Sequence, residues 1–167
     1  GTGEPVLILH GLLGSSDNWI TVARELAQFY TVFSLDLRNH GRSFHSDHFD
    51  YPAMADDVLA FIEQQNLENV SLICHSMGDK TAMQLAYLYP QHVHKLVVVD
   101  IAPKAYTPHN LNRVEALLGL DLATISRLSQ ADEQLKPAIP DTSERQSHLK
   151  NLKRGPGGTY YWQGNLK

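Results

Sequence analysis

Four short apolar runs constrain the fold of this sequence more than any other feature. Each is rich in β-branched residues, too short for a typical helix, and does not alternate polar with apolar side chains, so we expect strands covered on both faces. Helical patterns lie between them. Strands alternating with helices predict a parallel sheet built from right-handed crossovers. The runs are PVLILH (5–10), TVFSLD (31–36), NVSLIC (69–74) and KLVVVD (95–100), and the helical segments are 18–29, 51–65 and 78–90.

The character of the sequence changes after Pro103. From there on the pattern has helical spacing and polar breaks, and no run rich in β-branched residues returns to the sheet. We therefore predict an α/β core over residues 1–103 and the start of a helical cap or lid over residues 104–167. The chain ends on a glycine-rich turn and a short aromatic piece.

Composition narrows the classes of partner that we expect this protein to bind. The 167 residues carry a formal net charge of −4 with both signs interspersed, which argues against nucleic acid or an anionic membrane as the main partner. No apolar run approaches the roughly 18 residues of a membrane span. A single cysteine rules out an internal disulfide, and we expect a reducing, cytoplasmic compartment.

The stretch SLICHSMGDK places Ser76 where a strand ends and a helix begins. That is the context of a nucleophile elbow, although the G-x-S-x-G pattern has Cys74 at its upstream glycine and keeps only Gly78. The alternative is a serine on an ordinary turn. From this motif alone, the two interpretations stay open.

The first predicted strand runs into HGLLGSSDNW (10–19), which has the form of an oxyanion-hole loop. Gly11 and Gly14 allow a tight backbone path, and the amides of Leu12 and Met77 would form a two-donor hole beside Ser76. The alternative is a plain glycine turn between strand and helix. Two such motifs after neighbouring strands favour the catalytic interpretation.

Together with LDLRNHGRS, DDVLAFIE, HSMGDKTAM and LVVVDIAP, these motifs resemble the α/β-hydrolase superfamily. More narrowly, the chain resembles the YbfF-like bacterial esterases and related acyl-(thio)ester hydrolases. The resemblance implies a parallel sheet flanked by helices, and catalysis by serine, acid and histidine without a cofactor or metal. It implies that Ser76 is the nucleophile. Cys74 and Asp79 stand where the family pattern has glycine.

Asp100 is the candidate acid, since it closes the strand after the nucleophile helix and the resembling group uses that position. A carboxylate there can hold a histidine in its correct tautomer. The alternative is that Asp100 hydrogen-bonds the loop that follows it. Asp36 also ends a strand, but the nearby Arg38 suggests a structural ion pair with it.

The catalytic histidine is not found in this chain. Only His109 and His148 follow Asp100, and both fall in the predicted cap, where polar structural roles are expected. Trp19 and His75 are candidate substrate-binding residues. We therefore expect this chain to be a fragment of a protein roughly 90 or more residues longer, whose C-terminal segment brings the histidine.

The sequence predicts an enzyme that hydrolyses small acyl esters or thioesters through an acyl-enzyme. The same scaffold also supports C–C bond hydrolysis and acyl transfer, because a fold does not fix chemistry. A third alternative is a catalytically degraded hydrolase-like protein. The expected partners are a small-molecule substrate and, if the missing segment is supplied in trans, another chain; no nucleic acid or membrane partner is expected.

Overall fold

The structure is a computed structural model that describes residues 1–104, 106 and 111–166, without the side chain of Leu111. The chain divides into two compact units, Gly1–Lys104 and Ala105–Lys167.

The first unit contains a four-stranded parallel sheet, as the alternation of apolar runs and helical segments predicts. Its strands are β1 (Pro5–Leu9), β2 (Thr31–Leu35), β3 (Val70–His75) and β4 (Val93–Val99), and they lie in the order β2-β1-β3-β4. The expectation that both faces are covered holds for β1 but is wrong for β4, most of whose residues are exposed. The helices α2 (Tyr51–Gln64) and α3 (Met77–Leu88) follow the predicted segments closely. The segment predicted as one helix over 18–29 is instead a 3-10 turn, Ser16–Trp19, followed by a short α1 (Ile20–Leu26); a second 3-10 turn lies at Pro90–His92.

The core of this unit lies where β1 and β3 meet α2 and α3. It is built from aliphatic side chains that are nearly inaccessible to water, and burying one such side chain stabilises the fold by about 1.5–3 kcal/mol. The most buried members are Leu7, Leu9, Leu37, Met54, Ala55, Val58, Ile62, Val70, Leu72, Cys74, Ala82 and Leu85.

The sheet register brings the predicted site residues to one edge. Leu9 pairs with Cys74, and His75 pairs with Val99, so β1, β3 and β4 end side by side. The residues that follow these strands therefore lie at the carboxyl edge of the sheet, where ligands of open α/β folds bind.

The second unit holds three short helices, α4 (Leu111–Leu118), α5 (Leu128–Leu135) and α6 (Thr142–Leu149). It also contains an antiparallel hairpin, β5 (Leu152–Arg154) with β6 (Tyr160–Trp162), that the expected helical cap did not include. A nearly buried Arg145 on α6 bonds Asp132 on α5 at 2.9 Å between Nε and Oδ1, which fastens these two helices. Asp141 caps α6 by accepting from the Glu144 amide at 2.7 Å.

Candidate active site

Ser76 occupies the turn between β3 and α3, as its sequence context predicts. Its backbone has φ 53° and ψ −108°, a left-handed conformation that is costly for a residue other than glycine. The Ser76 amide donates to the Val99 carbonyl at 3.2 Å, which ties the turn to the end of β4. Such stored strain at a strand-to-helix corner is typical of a nucleophile elbow.

Gly78 is required at its position by the close approach of α3 to β1. A Cβ there would lie 2.5 Å from the Leu9 carbonyl oxygen and 2.7 Å from that of His10. Cys74, at the upstream glycine of the motif, is fully buried between β1 and β4 and fits without disturbing the turn. Burial raises the pKa of the Cys74 thiol, so this side chain packs as an apolar group.

The loop after β1 lies against the Ser76 turn. A Cβ built on Gly11 would be 3.4 Å from the Ser76 Cβ and 2.7 Å from Nδ1 of His75, so a larger residue would displace the His75 ring. The Gly14 amide donates to the Gly11 carbonyl at 3.0 Å and closes the loop. The loop and the first turn of α3, which begins at the buried Met77, are therefore neighbours.

Two buried histidines, His10 and His40, hold this loop, and no role was predicted for either from the sequence. His10 accepts from the Leu37 amide at Nε2 (3.1 Å) and donates from Nδ1 to the Gly11 carbonyl (2.8 Å). His40 accepts from the Leu13 amide at Nε2 (3.2 Å), and its ring centroid lies 5.0 Å from that of His10. The only sequence signal was their place beside glycines in HGLLG and RNHGR.

Both imidazoles are neutral. Burial lowers the pKa of His10 to about 4, and the nearby titratable ring of His40 acts in the same direction. Burial also lowers the pKa of His40. A neutral ring with one donor and one acceptor nitrogen matches the partners that each histidine has.

The structural ion pair predicted in the DLRNHGRS loop has another partner than Arg38: Oδ2 of Asp36 lies 3.7 Å from Nε of Arg42. Arg38 reaches α2 and bonds Asp57 with 2.6 Å between Nε and Oδ2. Asp36 instead accepts from the amides of Ser16 (2.6 Å) and Arg42 (2.9 Å). Burial acts to raise the pKa of Asp36, but these hydrogen bonds outweigh it and the pKa lies below its ordinary value. Asp36 thus ties the loop after β2 to the loop after β1.

Asp100 follows β4, next to the Ser76 turn, and is exposed. Its φ of 66° is again left-handed, so the backbone turns sharply where the carboxylate begins. The catalytic role of Asp100 stays a prediction.

Asp79 is fully buried in the first turn of α3. Its Oδ1 accepts from the Val99 amide at 3.2 Å, while Oδ2 has no hydrogen-bond partner among the described residues. Burial raises the pKa of this carboxyl, and the charge of Asp100 adds to the effect, whereas the amides of Val99 and Ser76 act in the opposite direction. Asp79 therefore joins the nucleophile turn to the strand end that leads to Asp100.

The other candidate site residues make few contacts that indicate a function. His75 is the last residue of β3 and lies against Gly11, whereas Trp19 is half-buried at the end of the 3-10 turn. His148 lies on α6 with its Nε2 3.7 Å from Oε1 of Glu144, and His109 falls outside the described residues. Their functional roles stay predictions.

Two further properties bear on function. Across the described ranges, no group of three His, Cys, Asp or Glu side chains is arranged to hold a metal ion. No helix in the same ranges has the length and apolar character needed to cross a membrane.

Residues 4–146 match the family described as alpha/beta hydrolase fold. A putative esterase/lipase of Haemophilus influenzae is 43% identical over 150 residues, 89% of this chain and 52% of that protein. An sn-1-specific diacylglycerol lipase, ABHD11, of Xenopus laevis is 41% identical over 99% of this chain and 55% of its own length. Esterase YbfF of Escherichia coli is 35% identical over 80% of this chain and 50% of its own length.

Among solved structures, a marine microorganism esterase superimposes with a TM-score of 0.94 at 42% identity, covering 99% of this chain and 66% of its own. The chain therefore belongs to the α/β-hydrolase fold family, and the predicted fold class and resemblance are confirmed. It spans about half the length of these curated relatives.

Proposed function

We propose that this chain carries the nucleophile of a serine hydrolase that cleaves acyl esters or thioesters through an acyl-enzyme. The observation that supports it most is the strained Ser76 turn at φ 53°, set between β3 and α3 with the Gly11 loop against it. The names of the similar proteins, which include esterases and lipases, agree with an ester as substrate.

In the proposed reaction the Ser76 hydroxyl attacks the substrate carbonyl carbon while a histidine base takes its proton. The carbonyl π electrons move onto oxygen, and the resulting oxyanion accepts hydrogen bonds from the Leu12 and Met77 amides. The amino end of α3 adds a favourable dipole for this charge. Asp100 orients the base, which later returns the proton to the leaving alcohol or thiol.

Water then attacks the acyl-enzyme through a second tetrahedral intermediate, and the acid product leaves with Ser76 regenerated. In this proposal the catalytic histidine lies in another segment of the full-length protein. We place the reaction in a reducing, cytoplasmic compartment, because the single thiol, Cys74, is free and buried. Trp19 and His75 line the acyl side of the site in this proposal.

Turnover of matched acyl esters and acyl thioesters by the full-length protein tests the proposal. Ser76→Ala should abolish both activities, because the acyl-enzyme cannot form, whereas the control Ser71→Ala on β3 should retain them. Activity on the ester but not the thioester of the same acyl group would restrict the substrate class. Unchanged turnover in Ser76→Ala would contradict the proposal.

A further inference from the structure

The Gly11 carbonyl is held by two donors at the carboxyl edge of the sheet. His10 Nδ1 donates to it at 2.8 Å, and the Gly14 amide donates at 3.0 Å. His10 is 1% exposed, so water does not compete for this bond. Since the Leu37 amide occupies Nε2 at 3.1 Å, the neutral ring must carry its proton on Nδ1, which directs the donor at Gly11.

The Gly11 carbonyl and the Leu12 amide belong to one peptide unit. That unit is planar and trans, so its C=O and N–H point in opposite directions. Fixing the carbonyl toward His10 therefore fixes the Leu12 N–H on the opposite side. The peptide adjoins the nucleophile turn, because a Gly11 Cβ would lie 3.4 Å from the Ser76 Cβ.

We infer that His10 is a positioning residue that holds the Gly11–Leu12 peptide with its N–H toward the oxyanion site. The inference rests on the proposed function, in which Leu12 is an oxyanion donor. Glycine permits the peptide to flip at low steric cost, and a flipped peptide would present a carbonyl oxygen to the developing negative charge. His10 opposes that flip through a bond that only its Nδ1–H tautomer can make.

Two substitutions separate the two bonds of His10. An asparagine amide reaches the place of Nδ1 and keeps a donor for Gly11, but it leaves Leu37 without its acceptor. A glutamine carbonyl reaches the place of Nε2 and keeps the Leu37 bond, but it offers no donor to Gly11. We expect His10→Gln to lower kcat about 10- to 100-fold with KM little changed, somewhat less than the ~10²–10³-fold loss on deleting an oxyanion-hole donor.

His10→Asn should recover most of the lost kcat, even where its melting temperature is as low as that of His10→Gln. The matched control is His40→Gln, which keeps the acceptor for Leu13 and loses only a donor to the Arg38 carbonyl at 2.9 Å. Its kcat should fall clearly less than that of His10→Gln. The melting temperatures of the three variants are measured first, so that turnover is assayed at a temperature at which all three are folded.

The assay is ester turnover by the full-length protein, together with the affinity for a boronic acid that mimics the tetrahedral intermediate. Imidazole ¹⁵N shifts should show His10 protonated at Nδ1, a result independent of activity. Equal kcat losses in the asparagine and glutamine variants, or an Nε2–H tautomer, would overturn the inference while leaving the proposed function intact. Undiminished turnover in Ser76→Ala would instead overturn the proposed function, and this inference with it.

Discussion

Gly78→Ala tests how the close approach of α3 to β1 sets the Ser76 turn. The added Cβ would lie 2.5 Å from the Leu9 carbonyl oxygen and 2.7 Å from that of His10, so the helix must move by about 0.5 Å to bring the shorter contact to 3.0 Å. Both obstacles are backbone atoms, one at the end of the central strand β1 and one in the residue that follows it, so neither can rotate away as a side chain could. Overpacking of this kind costs about 1–3 kcal/mol, offset by up to ~1 kcal/mol from the higher helix propensity of alanine.

These two contributions leave a loss of about 0–3 kcal/mol, and we take its middle: the free energy of unfolding should fall by about 1.5 kcal/mol and the melting temperature by roughly 3–6 °C. Reactivity should fall as well, because Ser76 immediately precedes the helix that must move, and small misplacements of a reacting group are costly. The rate of fluorophosphonate labelling should drop at least about tenfold.

The matched control is Gly157→Ala, since a Cβ at Gly157 meets nothing within 4 Å and its backbone is not left-handed. It should leave both the melting temperature and the labelling rate near their starting values. A Gly78→Ala protein with unchanged stability and unchanged labelling would refute the close-approach reasoning.

Four further predictions follow from the site and the sheet. Asp79→Asn keeps an acceptor for the Val99 amide and removes the buried charge. The pKa of Asp79 is raised in the folded protein, so the fold loses stability as the pH rises through this pKa and the carboxyl ionises. The variant should therefore be at least as stable as the parent at pH 7, and its stability should depend less on pH in denaturant titrations. A large loss of stability would contradict this. Asp100→Asn should cut turnover by orders of magnitude without unfolding the protein, and near-normal turnover would place the acid elsewhere. Because the pKa of His10 is lowered to about 4 in the folded protein, the unfolded chain takes up a proton at His10 at a higher pH than the folded chain does. The free energy of unfolding should therefore decline between pH 6.5 and about 4, by up to roughly 3 kcal/mol. His10→Asn should flatten this decline in thermal melts at stepped pH. Residues 1–167 alone should self-associate, because β2 and β4 are edge strands and Val97, Val98 and Val99 on β4 are exposed. Val97→Lys should shift size-exclusion profiles toward the monomer. A monomeric parent chain would contradict the prediction.

The strands could be predicted because their signal is local. Uninterrupted apolar runs such as PVLILH favour strands covered on both faces, as in a parallel sheet, and β1 is buried accordingly. The Ser76 turn was predictable for the same reason, since strand, serine and helix are contiguous in the chain.

The contacts that set the site could not be predicted, because they join distant segments. His10 to Leu37 and His40 to Leu13 each span 27 residues. No periodicity records such pairs, and a lone histidine beside a glycine gives only a weak signal.

The Asp36–Arg38 prediction failed because closeness in sequence does not make two side chains face each other. Arg38 leaves the loop toward α2, while Asp36 turns to the amides of Ser16 and Arg42. The hairpin at Leu152–Trp162 was missed because three-residue strands are too short to show a pattern.

The identity of the nucleophile is tested most directly by mapping a covalent adduct. The full-length protein is treated with a fluorophosphonate and digested with trypsin, and the peptide covering residues 43–80 is sequenced by tandem mass spectrometry. This peptide contains Ser43, Ser46, Ser71 and Ser76, so it carries its own internal controls. We predict one phosphonyl group, on Ser76 alone, and its loss in Ser76→Ala; a protein that stays unlabelled, or carries the adduct on another residue, would contradict the account.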